Sequence, residues 1–487
     1  MRLTFKEVKD KIKKMVPKEL EYDVELESAS VAIVTPTPRE FSKGGLLGKI
    51  GSAVKRSIVL RPSDDILMDE EEAEKLIRDG IPENINISLI HFDRCFKEVL
   101  VQCDEPGNAL GKRGAIREKL MDETGWIIRI ERTPPLESKT THDIRGYRKA
   151  HWQERRKLLK EFGLNIYRPK RPGPNWVRLT ALGSYREVGR ACHYITTNES
   201  RVMIDVGVNI ASDTDPMPYF NAPEALPLEK LDAVVLTHAH LDHAGMLPVL
   251  FKYGFRGPVF CTPPTRDMML LLQSDYLKVS SSEGKRPPYE MEHIRECMKH
   301  VVDVDWNKTT DIAPDIKLTL HNAGHILGSS EVHLHIGDGV HNIVVSGDTK
   351  FEKSWLFDAA NCRFPRCETL VIESTYGAAG DFQPSRSEAT MELQDVIRRT
   401  MKRNGKVVCP VFAVGRSQEV MIAIDELFRS GEVEPVPVYL DGMIQEATAI
   451  HAAHPEFLTS SLKRSLLQDD GDNPFTSTWF RQVQGRD

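Results

Sequence analysis

The sequence predicts an α/β fold preceded by two small α+β modules. Two observations lead to this prediction. Between residues 202 and 373, five short apolar runs rich in β-branched residues lead into a histidine, aspartate or glutamate, as buried strands do where they reach a sheet edge. Before residue 135, two glycine-rich turns each precede a further stretch of alternating apolar character. A chain of 487 residues is also long enough for several domains.

The most informative segment is an H-x-H-x-D-H run directly after the apolar stretch 232–237. It holds four side chains able to bind a metal: His238, His240, Asp242 and His243. Imidazole nitrogens and carboxylate oxygens suit zinc, and a turn after a strand lets them converge. The spacing predicts one metal at His238 and His240 and a neighbouring one at Asp242 and His243. Two such metals can clamp both oxygens of a phosphoryl displacement; a solvated histidine-rich turn is the alternative.

Further ligands are expected where the other apolar runs end. His325 stands on a glycine-flanked loop after the run 316–321, and Asp348 ends the run from 342, where it could bridge two cations. Asp205 ends an upstream run in the same way. Because no histidine stands near Asp205 in the sequence, we expect it to accept a proton from a ligand imidazole rather than to bind metal itself.

Other histidines are not assigned to the metal site. Alternation places His333 and His335 on one face of a strand, so we interpret them as structural or surface residues. His451 and His454 lie on a predicted helix among alanines and glutamates, and we expect both to be solvated.

The order of these motifs resembles the first four motifs of the metallo-β-lactamase superfamily. The matching residues are Asp205-x-Gly207, His238-x-His240-x-Asp242-His243, His325 and Asp348. The resemblance implies an αββα sandwich and a metal set of His238, His240, Asp242, His243, His325 and Asp348. It further implies roles in catalysis for Asp242 and Asp205.

Two later segments resemble the β-CASP branch of that superfamily, whose members are nucleases. One is Glu373-Ser-Thr-Tyr-Gly377, and the other is the stretch 405–419, which is predicted to be a strand, a Gly-Arg turn and a helix. The resemblance implies a partial β-CASP α/β insertion and assigns Glu373 to the catalytic set.

The segment Gly111-Lys112-Arg113-Gly114 lies between predicted helices flanked by strands at 97–102 and 126–130. This arrangement resembles a KH module, in which glycines let the backbone of a single-stranded nucleic acid approach and exposed cations supply charge. A second glycine pair, Gly48-Lys49-Ile50-Gly51, stands 63 residues earlier. It predicts tandem KH-like modules, and it leaves open whether the first module binds RNA or is only structural.

The predicted domains are two KH-like modules, a basic linker helix, the metal domain and a partial β-CASP domain. Their boundaries are 1–70, 71–135, 136–174, 175–377 and 378–487. The linker helix is expected over about 144–162, and Pro172 and Pro174 mark its end. Residues 111–172 hold 17 basic and 8 acidic side chains within a chain of formal charge −6, which favours an anionic partner there.

KH-like modules followed by such a metal domain resemble the archaeal cleavage and polyadenylation specificity factor family. The resemblance implies two zinc ions and endonucleolytic cleavage of RNA 3′ ends, with 5′–3′ exonuclease activity and DNA binding as further family properties. It also implies transcription termination with RNA polymerase and elongation factors, and a homodimer. No histidine follows His454 to complete the second zinc site, so we expect that site to be incomplete and the chain to lack a C-terminal part.

Two other functions stay open at this stage. One is an RNA-binding termination or tethering factor with little catalysis, and the other is a non-nuclease hydrolase of the same superfamily. The chain has no apolar run near 18 residues and no signal-like start, which predicts a cytoplasmic protein without a membrane span. Its eight cysteines show no C-x-x-C pair and are expected to be reduced.

Overall fold

The computed structural model describes residues 3–483 except 170, 172, 174, 213 and 468–471, together with the backbone but not the side chain of Lys43. Pro172 and Pro174, which were predicted to end the linker, lie outside the described residues, as do the outermost residues of the predicted first and last domains. Among the described residues, no helix has both the length and the apolar character needed to cross a bilayer.

Two α+β modules of identical element order open the chain. The first contains α1 (Phe5–Met15), β1 (Asp23–Glu27), β2 (Ser30–Thr35), α2 (Pro38–Ser42), α3 (Leu46–Val54) and β3 (Ile58–Pro62). The second contains α4 (Glu70–Gly80), β4 (Ile87–Asp93), β5 (Glu98–Cys103), α5 (Pro106–Leu110), α6 (Ala115–Thr124) and β6 (Ile127–Arg132). Each sheet pairs its first two strands antiparallel and its last two parallel. Each module has its own apolar core.

The glycine turn of the first module is not where the sequence predicted it. Gly48 and Gly51 lie inside α3, whose apolar face is formed by the buried Ile50 and Val54, so the prediction of a turn there was wrong. The turn between α2 and α3 instead has left-handed glycines at Gly44 (φ 63°) and Gly45 (φ 68°). Spacing between glycines cannot reveal this, because helical periodicity of the apolar residues overrides the preference of glycine for turns.

The predicted linker helix is two helices, α7 (Lys139–Ala150) and α8 (Trp152–Ile166). The break falls at His151, whose ring Nδ1 lies 3.0 Å from the carbonyl oxygen of Tyr147. The α7 N-terminus is anchored on Glu446, which accepts from Ser138 Oγ at 2.7 Å and from the Thr140 N–H at 2.8 Å. Although the linker is basic, its Arg155 is buried and is not available to an anionic partner. Its guanidinium group donates to the carbonyl oxygens of Met298, Lys299 and Val301.

The central domain is a sandwich of two sheets. The strands of the domain are β7 (Val177–Gly183), β8 (Cys192–Thr197), β9 (Arg201–Ile204), β10 (Ala233–Val235), β11 (Val259–Cys261), β12 (Val301–Asp303), β13 (Thr310–Ala313), β14 (Ile316–Asn322), β15 (Ser330–Ile336), β16 (His341–Val345) and β17 (Thr369–Val371). The first sheet has the order β12-β11-β10-β9-β8-β7, and the second runs from β13 to β17 in sequence order. Facing apolar residues of the two sheets form one core. Its helices are α9 (Leu241–Ala244), α10 (Leu247–Lys252), α11 (Pro263–Ser282) and α12 (Met291–His300).

The last part of the chain packs onto this sandwich through the larger apolar core. It contains α13 (Arg386–Met401), α14 (Arg416–Arg429), β18 (Val438–Leu440), α15 (Ile444–Ala453), α16 (Ser460–Leu467) and β19 (Phe480–Gln482). The helix after the Gly-Arg turn is present, but the strand predicted before that turn, at the start of the stretch 405–419, is not, so that prediction was wrong. Within the described part of the chain, no strand pairs with this segment, and without a ladder partner its β-branched residues do not make a strand.

His451 and His454 are buried, so the expectation that they are solvated was wrong. His454 Nε2 lies 2.8 Å from Asp267 Oδ2 on α11, which also accepts from Thr141 Oγ1 of α7 at 3.1 Å. Burial alone would lower the pKa of His454, but the bond to Asp267 raises it above the usual value. His451 lies against Phe357 and the carbonyl oxygen of Ala447. The alanines and glutamates around these histidines carry no information about α11, which supplies the partner of His454.

Candidate metal centre

The H-x-H-x-D-H run occupies the loop and short helix that follow β10. His238 and His240 stand on the loop, and α9 carries Asp242 and His243. The segment after β9 packs directly under this turn, because a Cβ on Gly207 would lie 1.6 Å from the carbonyl oxygen of Asp242. Only glycine fits there. Gly207 of the predicted Asp-x-Gly motif therefore packs against the turn that carries the metal ligands.

Three imidazoles converge on one point. His240 Nδ1 lies 3.2 Å from His238 Nε2 and 3.1 Å from His325 Nε2. Asp348 Oδ2 approaches the same point, at 3.4 Å from His325 Nε2 and 3.9 Å from His238 Nε2. These four residues form the first cluster, in which all ligand atoms lie within 4.8 Å of one another.

The second cluster adjoins the first and shares Asp348 with it. His243 Nε2 lies 3.2 Å from Asp348 Oδ1 and 3.8 Å from Asp242 Oδ2. The two oxygens of Asp348 therefore face different clusters. The structure thus brings together all six residues predicted as metal ligands, and a shared carboxylate is the arrangement expected of a bridging ligand.

Asp205 supports this arrangement without entering either cluster. It is fully buried in a left-handed conformation (φ 61°) and accepts three hydrogen bonds. The donors are the Thr237 N–H at 2.8 Å, Thr237 Oγ1 at 2.7 Å and His243 Nδ1 at 2.8 Å. Its carboxylate therefore fixes the ring of His243 with Nε2 turned toward Asp348. Thr237, which the sequence analysis did not single out, is recognisable only by its position between the strand and the first histidine.

The electrostatics of the first cluster favour neutral imidazoles. Burial, reinforced by the neighbouring histidines, holds the pKa of His238 well below its usual value and lowers the pKa of His325 to about 3. The second cluster differs. Burial alone would lower the pKa of His243, but the carboxylates of Asp205 and Asp348 outweigh it and raise that pKa well above its usual value. Burial opposes ionisation of Asp348, yet its bond to His243 holds the Asp348 pKa well below the usual range.

The loop that carries His325 is held by residues that sequence reasoning missed. Ser329 Oγ accepts from the His325 N–H at 3.1 Å, and Thr262 Oγ1 and Thr265 Oγ1 both donate to the carbonyl oxygen of Gly328. Thr262 is the N-cap of α11, so the helix start and the ligand loop fix each other. Small hydroxyl residues are common in turns, and nothing in the sequence links these segments.

Glu373 and the pair His333 and His335 lie outside both clusters. Glu373 Oε1 accepts from the Thr349 N–H at 2.9 Å, so it fixes the residue that follows Asp348. This contact makes Glu373 a support for the bridging ligand. The rings of His333 and His335 lie 4.0 Å apart on β15, and His333 Nε2 lies 3.0 Å from the carbonyl oxygen of Arg366. Both histidines make contacts within the second sheet.

The donor set of the first cluster fits a zinc ion. Tetrahedral zinc with Zn–N bonds of about 2.0–2.1 Å requires ligand nitrogens roughly 3.3 Å apart, and the two short nitrogen separations of 3.1 and 3.2 Å come close to this value. Three ring nitrogens and one carboxylate oxygen also match the ligand types that zinc prefers. Among the described residues, the second cluster supplies one nitrogen and two carboxylates, from His243, Asp242 and Asp348.

The predicted nucleic-acid loop of the second module has the backbone expected of a G-x-x-G turn. Gly111, Arg113 and Gly114 all have positive φ, at 71°, 55° and 81°. The side chains of Lys112 and Arg113 are exposed, and the loop opens directly into α6. The loop belongs to the second module and contributes nothing to the two metal clusters.

Comparison with known proteins agrees with this architecture. The family model of the metallo-beta-lactamase superfamily matches residues 185–411, and that of the Beta-Casp domain matches residues 417–487. The KH domain of transcription termination factor FttA matches residues 2–67. The metallo-β-lactamase fold implies binding of divalent metal, for which the two clusters provide the side chains.

Whole-chain relatives decide the family. Transcription termination factor FttA of Methanosarcina mazei is 47% identical over 483 residues, which cover 99% of this chain and 76% of the relative. The chain belongs to the FttA family. The FttA of Methanothermobacter thermautotrophicus is 46% identical over 99% of this chain and 76% of that protein, and that of a Lokiarchaeum species is 41% identical over 100% and 76%. The family predicted from the sequence motifs is thus confirmed, together with the predicted fold class.

Proposed function

We propose that this FttA-family chain is a zinc-dependent endoribonuclease that cleaves RNA in the setting of transcription termination. The observation that carries the proposal is the pair of clusters that share Asp348, on a chain whose residues 2–67 match the KH domain of FttA. His238, His240, His325 and Asp348 would hold one ion, and Asp242, His243 and Asp348 the other. The name of the relatives ties those proteins to termination, and we extend that setting to this chain.

Two bound cations supply Lewis-acid stabilisation of the charge that develops on a phosphodiester during in-line displacement. The residues of the chain prepare this chemistry. Burial keeps the first-cluster imidazoles neutral, which is the form that binds metal. Asp205 holds His243 in one orientation, and Asp348 presents one oxygen to each cluster. Asp242 is about one-third exposed, so substrate can reach the second cluster.

The test is cleavage of a labelled single-stranded RNA by the full chain with zinc, compared with a chelator-treated sample and with His240→Ala. Because His240 lies between the other two imidazoles, its loss should lower cleavage by more than about 100-fold, beyond the 10–100-fold that residues supporting a ligand contribute. His341→Ala is the matched control, since His341 bonds Thr369 outside both clusters.

The same experiment decides between the nuclease and a tethering factor. Cleavage that survives both chelation and His240→Ala would place the activity elsewhere. RNA binding by a zinc-loaded chain without cleavage would favour the second candidate function, an RNA-binding termination or tethering factor. The observation that keeps that candidate in view is that the described residues supply only three ligand groups to the second cluster, one of them shared.

RNA binding by the second module is predicted to depend on its exposed loop. Lys112→Glu/Arg113→Glu should weaken RNA affinity and reduce its salt dependence, because fewer counterions are released from the phosphates. Cleavage at saturating RNA should change little, since the loop lies outside the metal clusters. Fluorescence anisotropy at several salt concentrations measures both quantities.

The charge-matched control is Lys157→Glu/Lys160→Glu, which reverses two exposed cations on α8. Equal loss of affinity in both double variants would mean that net charge, rather than the loop, determines binding. Loss of turnover at saturation with intact affinity would contradict a binding role for the loop.

A further inference from the structure

A cavity of about 700 Å³ lies between α13, α14 and the segment that follows Asp348. Three cations line it, together with two aromatic side chains and two carboxylates. They are Lys350, Arg386, Arg416, Trp355, Phe412, Glu352 and Glu419. None of these residues belongs to the metal clusters or supports a ligand in the arrangement described above.

Two of the cations are attached to the ligand loops themselves. Lys350 follows Asp348 by two residues, and its N–H donates to the carbonyl oxygen of Ala323 at 2.8 Å. Arg416 begins α14 directly after Gly415, where a Cβ would lie 3.2 Å from Cγ2 of Ile326, the neighbour of His325. Gly415 has φ 83°, a left-handed conformation that favours glycine. The cavity lining therefore contacts the loops that carry Asp348 and His325.

A shared carboxylate places two guanidinium groups on the same wall. Glu419 is ion-paired with Arg386, and its Oε2 lies 3.5 Å from Arg416 Nη1. The Glu419 side chain is only 13% exposed, whereas that of Arg416 is 55% exposed. One buried carboxylate thus orients both arginines without neutralising them, and Arg416 remains accessible. Planar guanidinium groups held in this way suit the paired oxygens of a phosphate.

Phe412 adds a stacking surface to the same cavity. Its side chain is 78% exposed, which is unusual for a phenyl ring, and Trp355 contributes a half-buried indole to the lining. Cations that follow a phosphate backbone beside exposed aromatic rings are the combination used by sites for single-stranded nucleic acid. A base within a duplex cannot stack on such a ring, because its faces are already covered.

We propose that this cavity seats the phosphate next to the scissile one in a single-stranded RNA, with Arg386 and Arg416 on the phosphate and Phe412 against an adjoining base. The proposal rests on the proposed nuclease function and adds the residues that position the substrate beside the metal centre. Lys350 contributes further positive charge at the end of the cavity nearest Asp348.

The experiment measures binding and cleavage of a short single-stranded RNA by the full chain and by Arg386→Ala, Arg416→Ala and Phe412→Ala. Each arginine variant should lower the slope of log affinity against log salt by about 0.7, the value for one phosphate contact on a single strand. Phe412→Ala should weaken binding roughly tenfold and leave the slope unchanged. Cleavage should show a raised KM in all three variants, with kcat changed less.

Arg399→Ala is the matched control, because Arg399 lies on the same helix as Arg386 but is exposed and outside the cavity. Arg416→Lys keeps the charge and loses the paired geometry, so it should recover the salt slope but not the full affinity. Thermal unfolding of each variant checks that the fold is retained.

Failure of this proposal and failure of the nuclease function are distinguishable. If the wild-type chain binds RNA but does not cleave it, the nuclease function fails, and the salt slopes still decide the role of the cavity. Unchanged slopes and KM in both alanine variants of the arginines would overturn the phosphate seat. Equal affinity for a duplex RNA of the same sequence, or no effect of Phe412→Ala, would overturn the stacked base.

Discussion

Asp348→Ala is expected to remove both metal ions and to lower RNA cleavage by more than about 100-fold, beyond the 10–100-fold attributed to residues that only support a ligand. The two carboxylate oxygens face different clusters, Oδ1 toward His243 and Oδ2 toward His325. No other side chain in the described parts of the two clusters is shared between them. Elemental analysis after gel filtration measures metal content, and single-turnover assays measure cleavage.

The matched control for this prediction is Asp358→Ala. Asp358 is exposed and pairs with Lys353 at 2.9 Å, so its loss removes a carboxylate from the same segment without touching either cluster. Retention of two metal ions by Asp348→Ala would contradict the bridging role. Full cleavage by that variant would mean that the reaction takes place at another site.

Asp205→Asn is expected to weaken metal binding at the second cluster by about 10–100-fold, as does the loss of other residues that orient a metal-binding imidazole. An amide can no longer accept from all three donors, and its own N–H₂ faces the ring of His243 and the Thr237 hydroxyl. Because each of these groups is buried, the free energy of unfolding should also fall by about 1–3 kcal/mol. Zinc titration and chemical denaturation measure the two effects.

The pH dependence of metal binding follows from the same contact. In the metal-free chain, Asp205 and Asp348 raise the pKa of His243, so its ring keeps a proton to higher pH than an ordinary histidine does and must lose that proton when metal binds. Affinity at the second cluster should therefore increase with pH until His243 is neutral. The protonated pair also stabilises the metal-free fold below the unfolded pKa of histidine, and this contribution is lost as pH rises through the raised pKa.

Asp215→Asn provides the comparison for Asp205→Asn. Asp215 is an exposed carboxylate of the same domain, and it pairs with Arg190. If both variants bind zinc like the wild-type chain at every pH, Asp205 does not orient His243. If Asp205→Asn lowered zinc affinity only at the first cluster, Asp205 would not support His243 in the second.

The metal clusters could be predicted from the sequence because their ligands stand on the turns and loops that follow three apolar strands, β10, β14 and β16. The runs before His238 and Asp348 end at the same edge of the sandwich, so local patterns were enough to place them. Thr262 could not be found in this way, since its contact joins the start of α11 to a loop 66 residues later. Ser329 bonds the N–H of His325 within its own loop, but hydroxyl residues are too common in turns to single it out. Burial of His454 likewise depends on a partner 187 residues away.

In the two small modules and in the segment 405–412, local sequence patterns predicted one turn correctly and were misleading elsewhere. The loop Gly111–Gly114 was placed correctly because strands flank its helices at the expected spacing. In the first module, Gly48 and Gly51 lie inside α3, and the turn is at Gly44 and Gly45. The segment 405–412 has strand-like composition but no ladder partner among the described strands. Its composition is typical of a strand, but a strand forms only where its backbone can hydrogen-bond to a neighbouring strand.

The anchoring of α7 bears on the distance along one RNA between the nucleotides that bind the second module and the bond that is cleaved. Ser138 and Thr140 hold the start of this helix on Glu446, and Thr141 meets Asp267 beside it. The second module ends six residues before Ser138, so only a short link separates it from this anchored helix. If RNA binds at the Gly111–Gly114 loop and is cleaved at the metal clusters, as proposed, the spacing of the two sites would act as a molecular ruler. The number of nucleotides between the bound position and the cleaved bond would then be constant.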